Sequence, residues 1–202
     1  MTTARNLLLV VLDEDRGRAV SSGDLSLALA GAELVDLLGA GALALRADRI
    51  VPGAGVAAPA DRLLAQAYAS LKRQAPYEPV GDWLWRRGDA LAAAYVAALE
   101  EEGSLTRRRR RGRPFAAGEP VPADSPARRR AAELWSRADP VLVSLAEGVG
   151  VHNDQAAGPV EAADDSVTLV LAAVGDALLE LEGERQRRTI EQAAFDNVWR
   201  VP

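Results

Sequence analysis

Residues 25–38, LSLALAGAELVDLL, constrain the fold more than any other part of the chain. Leucine and alanine favour a helix. Wound at 3.6 residues per turn, the stretch is apolar on nearly every side and is interrupted by Glu33 and Asp36. Such a helix has no face to give to water, so it is expected at the centre of a helical body. Ser21, Ser22 and Asp24 supply N-cap candidates, and Gly39 and Gly41 stop it.

The remaining sequence can surround that helix. Of the 202 residues 49% are apolar, enough for one domain with a sizeable core, while only 4% are aromatic, so leucine, alanine and valine must build it. The expected fold is therefore mainly α, a single-domain helical bundle over residues 1–202. Two short β-hairpins are expected at glycine-terminated helix ends. The pattern predicts a short helix at 7–12, the central helix to 38, and a hairpin from 42–45 and 49–51. Further helices are expected at 61–73 and 89–102, the latter with Leu91, Tyr95 and Leu99 on one stripe and Gly103 as its C-cap. After a second hairpin over 105–115, helices follow from Asp124 or Ser125 to 138, then at 140–148, 166–181 and 183–198.

Several functional classes are excluded. The absence of cysteine removes disulfides, thiolate catalysis and sulfur-ligated metals. No apolar run approaches the roughly 18 residues of a membrane span. The run at 7–12 follows Arg5 but closes on Asp13, Glu14 and Asp15 without a small-residue cleavage site, so the reading is cytoplasmic. His152, the only histidine, cannot make a metal site alone and reads as a loop residue. Asp164 and Asp165 read as favourable charges at a helix N-terminus. No nucleophile elbow, P-loop or dinucleotide fingerprint is present, so neither an enzyme nor a cofactor is expected. Lys72 is the only lysine, and arginine, alanine and glycine abound, a bias that points to a GC-rich, bacterial genome.

Positive charge is clustered although the net charge is −5. Arg107, Arg108, Arg109, Arg110, Arg111 and Arg113 fall on a strand, whose side chains alternate between faces. Charged on both faces, that segment cannot enter a core and must project into solvent. Two explanations stand side by side. One is an anionic partner such as an acidic membrane, where each cation contributes roughly 1 kcal/mol. The other is protection of a strand edge, or neutralisation of Glu100, Glu101 and Glu102 at the end of the preceding helix. A second cluster holds Trp83, Trp85, Arg86 and Arg87, a combination that suits a membrane interface or a stacked headgroup. Trp83 reads as core, Trp85 as either. Arg128 to Arg130 sit at the unfavourable end of a helix and are expected to face an acid elsewhere, and Trp199 is expected to dock on the body.

Three segments together resemble the Golgi phosphoprotein 3 family: NLLLVVLDEDRGRAVSSGDLSLALAGAELVDLLGAGALALRADRIVP, DALAAAYVAALEEEGSLTRRRRRGRPF and EPVPADSPARRRAAELW. The stretch from Leu29 to Leu37 is the most specific part. The resemblance implies a helical bundle with short hairpins and a phosphoinositide-binding adaptor rather than an enzyme. Its eukaryotic members bind phosphatidylinositol 4-phosphate on Golgi membranes and recruit glycosyltransferase tails, and the hairpin over 105–115 resembles one linked to self-association. The family's headgroup pocket does not carry over: its tryptophan falls near Ser21, and its three arginines fall near Ala30, Asp89 and Ala92.

The expected function is therefore a peripheral membrane protein that meets anionic lipid through the arginine hairpin and Trp85, Arg86 and Arg87. It would sit on the inner face of the membrane. The alternative is a soluble protein-interaction module that uses the hairpin for assembly. A basic hairpin after a helix also suits nucleic acid, but the preceding helix is acidic and argues against it.

Overall fold

The computed structural model describes residues 1–14, 20–53, 57–108, 118–156 and 164–198, with side chains of the last helix to residue 192. In chain order the elements are α1 (Thr3–Glu14), α2 (Ser22–Gly39), β1 (Leu43–Arg46), β2 (Arg49–Pro52), α3 (Arg62–Ala69) and α4 (Val80–Gly88). They continue as α5 (Leu91–Glu101), β3 (Leu105–Arg108), β4 (Glu119–Pro122), α6 (Pro126–Ser136), α7 (Pro140–Gly148) and α8 (Asp165–Val198). The fold is mainly α with two small antiparallel hairpins, as the sequence predicts.

Helix α2 is the axis. Leu25, Leu27, Ala28, Leu29, Ala30, Ala32, Leu34 and Leu37 are all buried, and the helix packs against α1, α3, α4, α5, α7 and α8. Ser21 caps it, its side chain accepting from the Asp24 N–H. One of its glycines, Gly31, is used at the contact with α8. A Cβ on Gly31 would stand 2.3 Å from Val174 Cγ2, so the two helices approach closer there than any larger residue allows.

Polar ties set the direction of the neighbours. The Thr3 N–H donates to both carboxylate oxygens of Asp36, at 3.0 and 2.8 Å, and the Thr3 hydroxyl donates to Oδ1 at 2.7 Å. The first turn of α1 is thus tied to the last turn of α2, and the two run antiparallel. The Ala92 N–H donates to Ser26 Oγ at 3.0 Å, which joins the starts of α5 and α2. Arg5 of α1 pairs with Asp61, the N-cap of α3, and with Glu102 just past α5. The ends of α2 and α5, from which both hairpins depart, therefore lie at one end of the bundle.

In the first hairpin Leu43 pairs with Pro52 and Arg46 with Arg49 across a two-residue turn in which Ala47 takes φ 53°. It is held by the Ile50 N–H donating to the Glu78 carbonyl and the Val80 N–H donating to the Asp48 carbonyl, both at 2.9 Å. In the second, Leu105 pairs with Pro122 and Arg108 with Glu119. Leu105 is buried, while Thr106, Arg107 and Arg108 are exposed, so β3 leaves the body after its first residue.

One expectation is corrected and one unassigned segment proves helical. Separate helices at 166–181 and 183–198 are in fact one helix, α8; glycine in a helix interior costs only about 1 kcal/mol, and Gly183 is passed without a break. The nine-residue α4, unassigned from sequence because Gly81 and Gly88 bracket it, forms where Trp83 and Leu84 enter the core. Among the described residues no helix is long and apolar enough to cross a membrane.

Candidate anion-binding surfaces

Helix α4 and strand β3 carry the described residues that the sequence singles out. On α4, Val80, Trp83, Leu84 and Gly88 face the bundle. Trp83 is wholly buried, whereas Trp85 is 40% exposed. Successive helical positions diverge by about 100°, so Arg86 and Arg87 reach different partners although they are adjacent.

Arg86 turns back along its own helix start. Its Nε donates to Glu78 Oε1 and its Nη2 to Oε2, both at 2.7 Å, and its guanidinium lies 5.0 Å from the Trp83 ring centroid. The paired carboxylate, 3% exposed, holds the Arg86 guanidinium above its ordinary pKa. Lys72 Nζ approaches the same carboxylate at 3.8 Å.

Arg87 turns inward. Its Nε donates to Glu33 Oε2 at 2.7 Å, and its Nη2 donates to Oε1 at 2.8 Å and to the Leu63 carbonyl at 3.1 Å. The Tyr95 hydroxyl completes the group by donating to Glu33 Oε1 at 2.9 Å. Glu33 is fully buried. Burial pushes its carboxyl up from the usual value, and the hydrogen bonds from Arg87 and Tyr95 oppose that shift. Burial likewise pushes the Tyr95 phenol up, reinforced by the neighbouring carboxylate. An external anion could take Arg87 only by stripping a buried carboxylate of its counter-charge, which physical reasoning makes costly. What α4 offers to solvent is Gly81, Asp82, Trp85 and the outer edge of Arg86.

On β3, Arg107 closes on the end of α5: Nε lies 2.8 Å from Glu100 Oε1, Nη2 donates to Oε2 at 3.1 Å, and Nη1 donates to the Gly118 carbonyl at 3.2 Å. Of the three helix-end glutamates that the sequence offered for neutralisation, Arg107 meets Glu100, whereas Glu101 meets Arg62 and Glu102 meets Arg5. Arg108 is exposed, opposite Glu119. Arg109, Arg110, Arg111, Arg113 and Trp199 lie outside the described residues. Arg128 meets Asp13 of α1, with Nη2 donating to Oδ1 at 2.7 Å, and Arg129 meets Asp124.

A cavity of about 620 Å³ opens beside Arg5, Asp36, Asp61, Glu102 and Ser104. Its carboxylates are turned to internal donors: Asp36 to Thr3, Asp61 to Arg5 and the first amides of α3, Glu102 to Arg5. His152 stands exposed in the loop after α7, and among the described residues no group of three or more histidines or carboxylates could hold a metal. The four positions of the implied headgroup pocket serve packing or capping. Ser21 caps α2, Ala30 and Ala92 are buried, and Asp89 follows α4.

The family model described as Golgi phosphoprotein 3 (GPP34) matches residues 4–193. The chain belongs to the Golgi phosphoprotein 3 family. The match runs from the start of α1 into the last turns of α8 and takes in both hairpins. Golgi phosphoprotein 3 proteins form a family of non-enzymatic adaptors. A comparison with curated proteins finds no match.

The sequence reading places Glu33 in the central helix and Tyr95 on an apolar stripe without pairing either, and does not name Glu78; in the structure Arg86 engages Glu78, and Arg87 and Tyr95 both engage Glu33. A lone glutamate in the middle of an otherwise apolar helix was the available signal for Glu33. Glu78 carries none, because its burial follows from the 70–79 segment lying against β2 and α4.

Proposed function

We propose that this Golgi phosphoprotein 3 family member is a non-enzymatic adaptor that attaches peripherally to an anionic lipid surface, on the cytoplasmic face of a membrane. The observation that carries the reading is the polarity of the second hairpin. Only Leu105 of β3 is buried, and Arg107 and Arg108 stand in solvent at the start of a run that continues in sequence to Arg113. Cations near an acidic bilayer contribute roughly 1 kcal/mol each, so a short run can hold a small domain reversibly. The recognition proposed is of negative charge rather than of one headgroup, since Ser21, Ala30, Asp89 and Ala92 supply no phosphate-binding side chains. The test is flotation of the protein with phosphatidylcholine vesicles, with and without phosphatidylserine or phosphatidylinositol 4-phosphate, at two salt concentrations. Binding to either acidic vesicle that weakens with salt is expected; no binding to any vesicle ends the reading.

A second reading is favoured by the internal pairing of Arg107 with Glu100, which diverts charge from lipid. In it the hairpin serves protein–protein assembly. Light scattering over a range of concentrations checks this, and a monomer throughout counts against it.

A further inference from the structure

The first hairpin gathers positive charge that no carboxylate among the described residues pairs with. Arg46 and Arg49 face each other as the last cross-strand pair before the turn, and both are exposed. Like charges directly opposite on a hairpin disfavour it, so this pair asks for a reason outside the fold. Among the described residues no carboxylate pairs with either. Arg49 donates to the Tyr77 carbonyl at 2.7 Å.

The segment beside them adds to the charge. It is bonded to the hairpin through Ile50 and Glu78 and through Asp48 and Val80. Lys72 and Arg73 are exposed on it, and Arg73 lies 4.7 Å over the Tyr68 ring. Glu78, which Lys72 approaches at 3.8 Å, is buried and already gives both oxygens to Arg86. Arg46, Arg49, Lys72, Arg73 and Arg86 thus meet Asp48 in the turn, Glu78, and Asp82 one turn before Arg86. The corner keeps two positive charges in excess within a chain whose net charge is −5.

We infer that this corner, and not the second hairpin alone, is a membrane-contact face that docks on an acidic bilayer. The cations come from three separate segments and do not converge on a buried point, which suits diffuse surface charge better than a single small anion. Half-buried Tyr77, whose carbonyl accepts from Arg49, stands at its margin, a side chain that favours the water–lipid boundary. Both hairpins are rooted at the same end of the bundle, where Asp36 meets Thr3 and Glu102 meets Arg5, so one bilayer can engage both. The inference rests on the adaptor reading above and assigns it a second contact.

The test uses the full chain with vesicles of phosphatidylcholine with and without phosphatidylserine. Three charge-neutral variants are compared: Arg46→Gln with Arg49→Gln, Lys72→Gln with Arg73→Gln, and Arg107→Gln with Arg108→Gln. Circular dichroism checks that each is folded; the second variant lies outside any strand, so it keeps the test open if the first disturbs the hairpin. Loss of two surface cations should lower partitioning onto acidic vesicles by about 30-fold for either of the first two variants. If both bind like the unaltered protein while the third alone loses binding, the inference is overturned and the adaptor reading survives. If the unaltered protein ignores all vesicles, both fall. Binding to heparin with no binding to vesicles would assign the corner to a soluble polyanion and overturn the bilayer.

Discussion

Arg87 of α4 closes both arms of its guanidinium on Glu33 of α2, at 2.7 and 2.8 Å, across 54 positions of sequence. The carboxylate is fully buried and Arg87 nearly so, at 16% side-chain exposure. A charge pair taken out of water is weak evidence of net stabilisation, but breaking it is severe because the surviving charge stays buried.

Glu33→Ala is therefore expected to destabilise the fold by about 3–5 kcal/mol in urea melts. Replacing the pair together, Glu33→Leu with Arg87→Leu, should recover most of that loss. Additive losses in the double variant would show that the two residues act independently.

Arg5 sets an acid sensitivity. Its hydrogen bond holds the Glu102 carboxyl below its usual value of 4.5. A folded-state pKa lower than the unfolded one gives stability that is present above pH 4.5 and lost as pH falls through the depressed value. The stability gap between the unaltered protein and Arg5→Gln should thus narrow as pH drops below 4.5. A gap that stays constant into acid would mean that Arg5 acts through packing alone.

Gly31 sets the spacing of α2 and α8. Gly31→Ala gains up to about 1 kcal/mol of helix propensity, yet its methyl would lie 2.3 Å from a buried, β-branched Val174. Overpacking of this kind costs about 1–3 kcal/mol, so a net loss in thermal stability is expected. Adding Val174→Ala should relieve it; no relief would place the strain elsewhere.

Ser26 takes the place of a cap on α5, whose N-cap position, Ala90, sits at φ 54° and supplies no side-chain hydrogen bond. Ser26→Ala would leave the Ala92 amide buried without an acceptor, at a cost of about 1–3 kcal/mol. Faster hydrogen exchange at Ala92 should accompany the lower melting point. Unchanged exchange there would refute the assignment.

The fold was largely legible because its signals are local. The all-round apolarity of residues 25–38 announced the central helix, and Gly39, Gly41 and Gly103 announced where chains turn into hairpins. Local signals failed where a penalty was small or context decided. Gly183 carries too little cost to end α8, and α4 is held by the burial of Trp83 and Leu84 rather than by its own propensity.

The side-chain pairings were not legible. Trp85, Arg86 and Arg87 form one cluster in the sequence and go three ways in the structure, to solvent, to Glu78 and to Glu33. Arg46 and Arg49 looked unremarkable until the register set them face to face.

Composition and periodicity determined that this chain is a helical body with charged hairpins, because those properties reside in short stretches of sequence. Which arginines are neutralised internally and which stay exposed was decided only by tertiary structure. Charge pairing depends on distances between segments tens of residues apart, and those distances exist only once α2, α4 and the hairpins have packed.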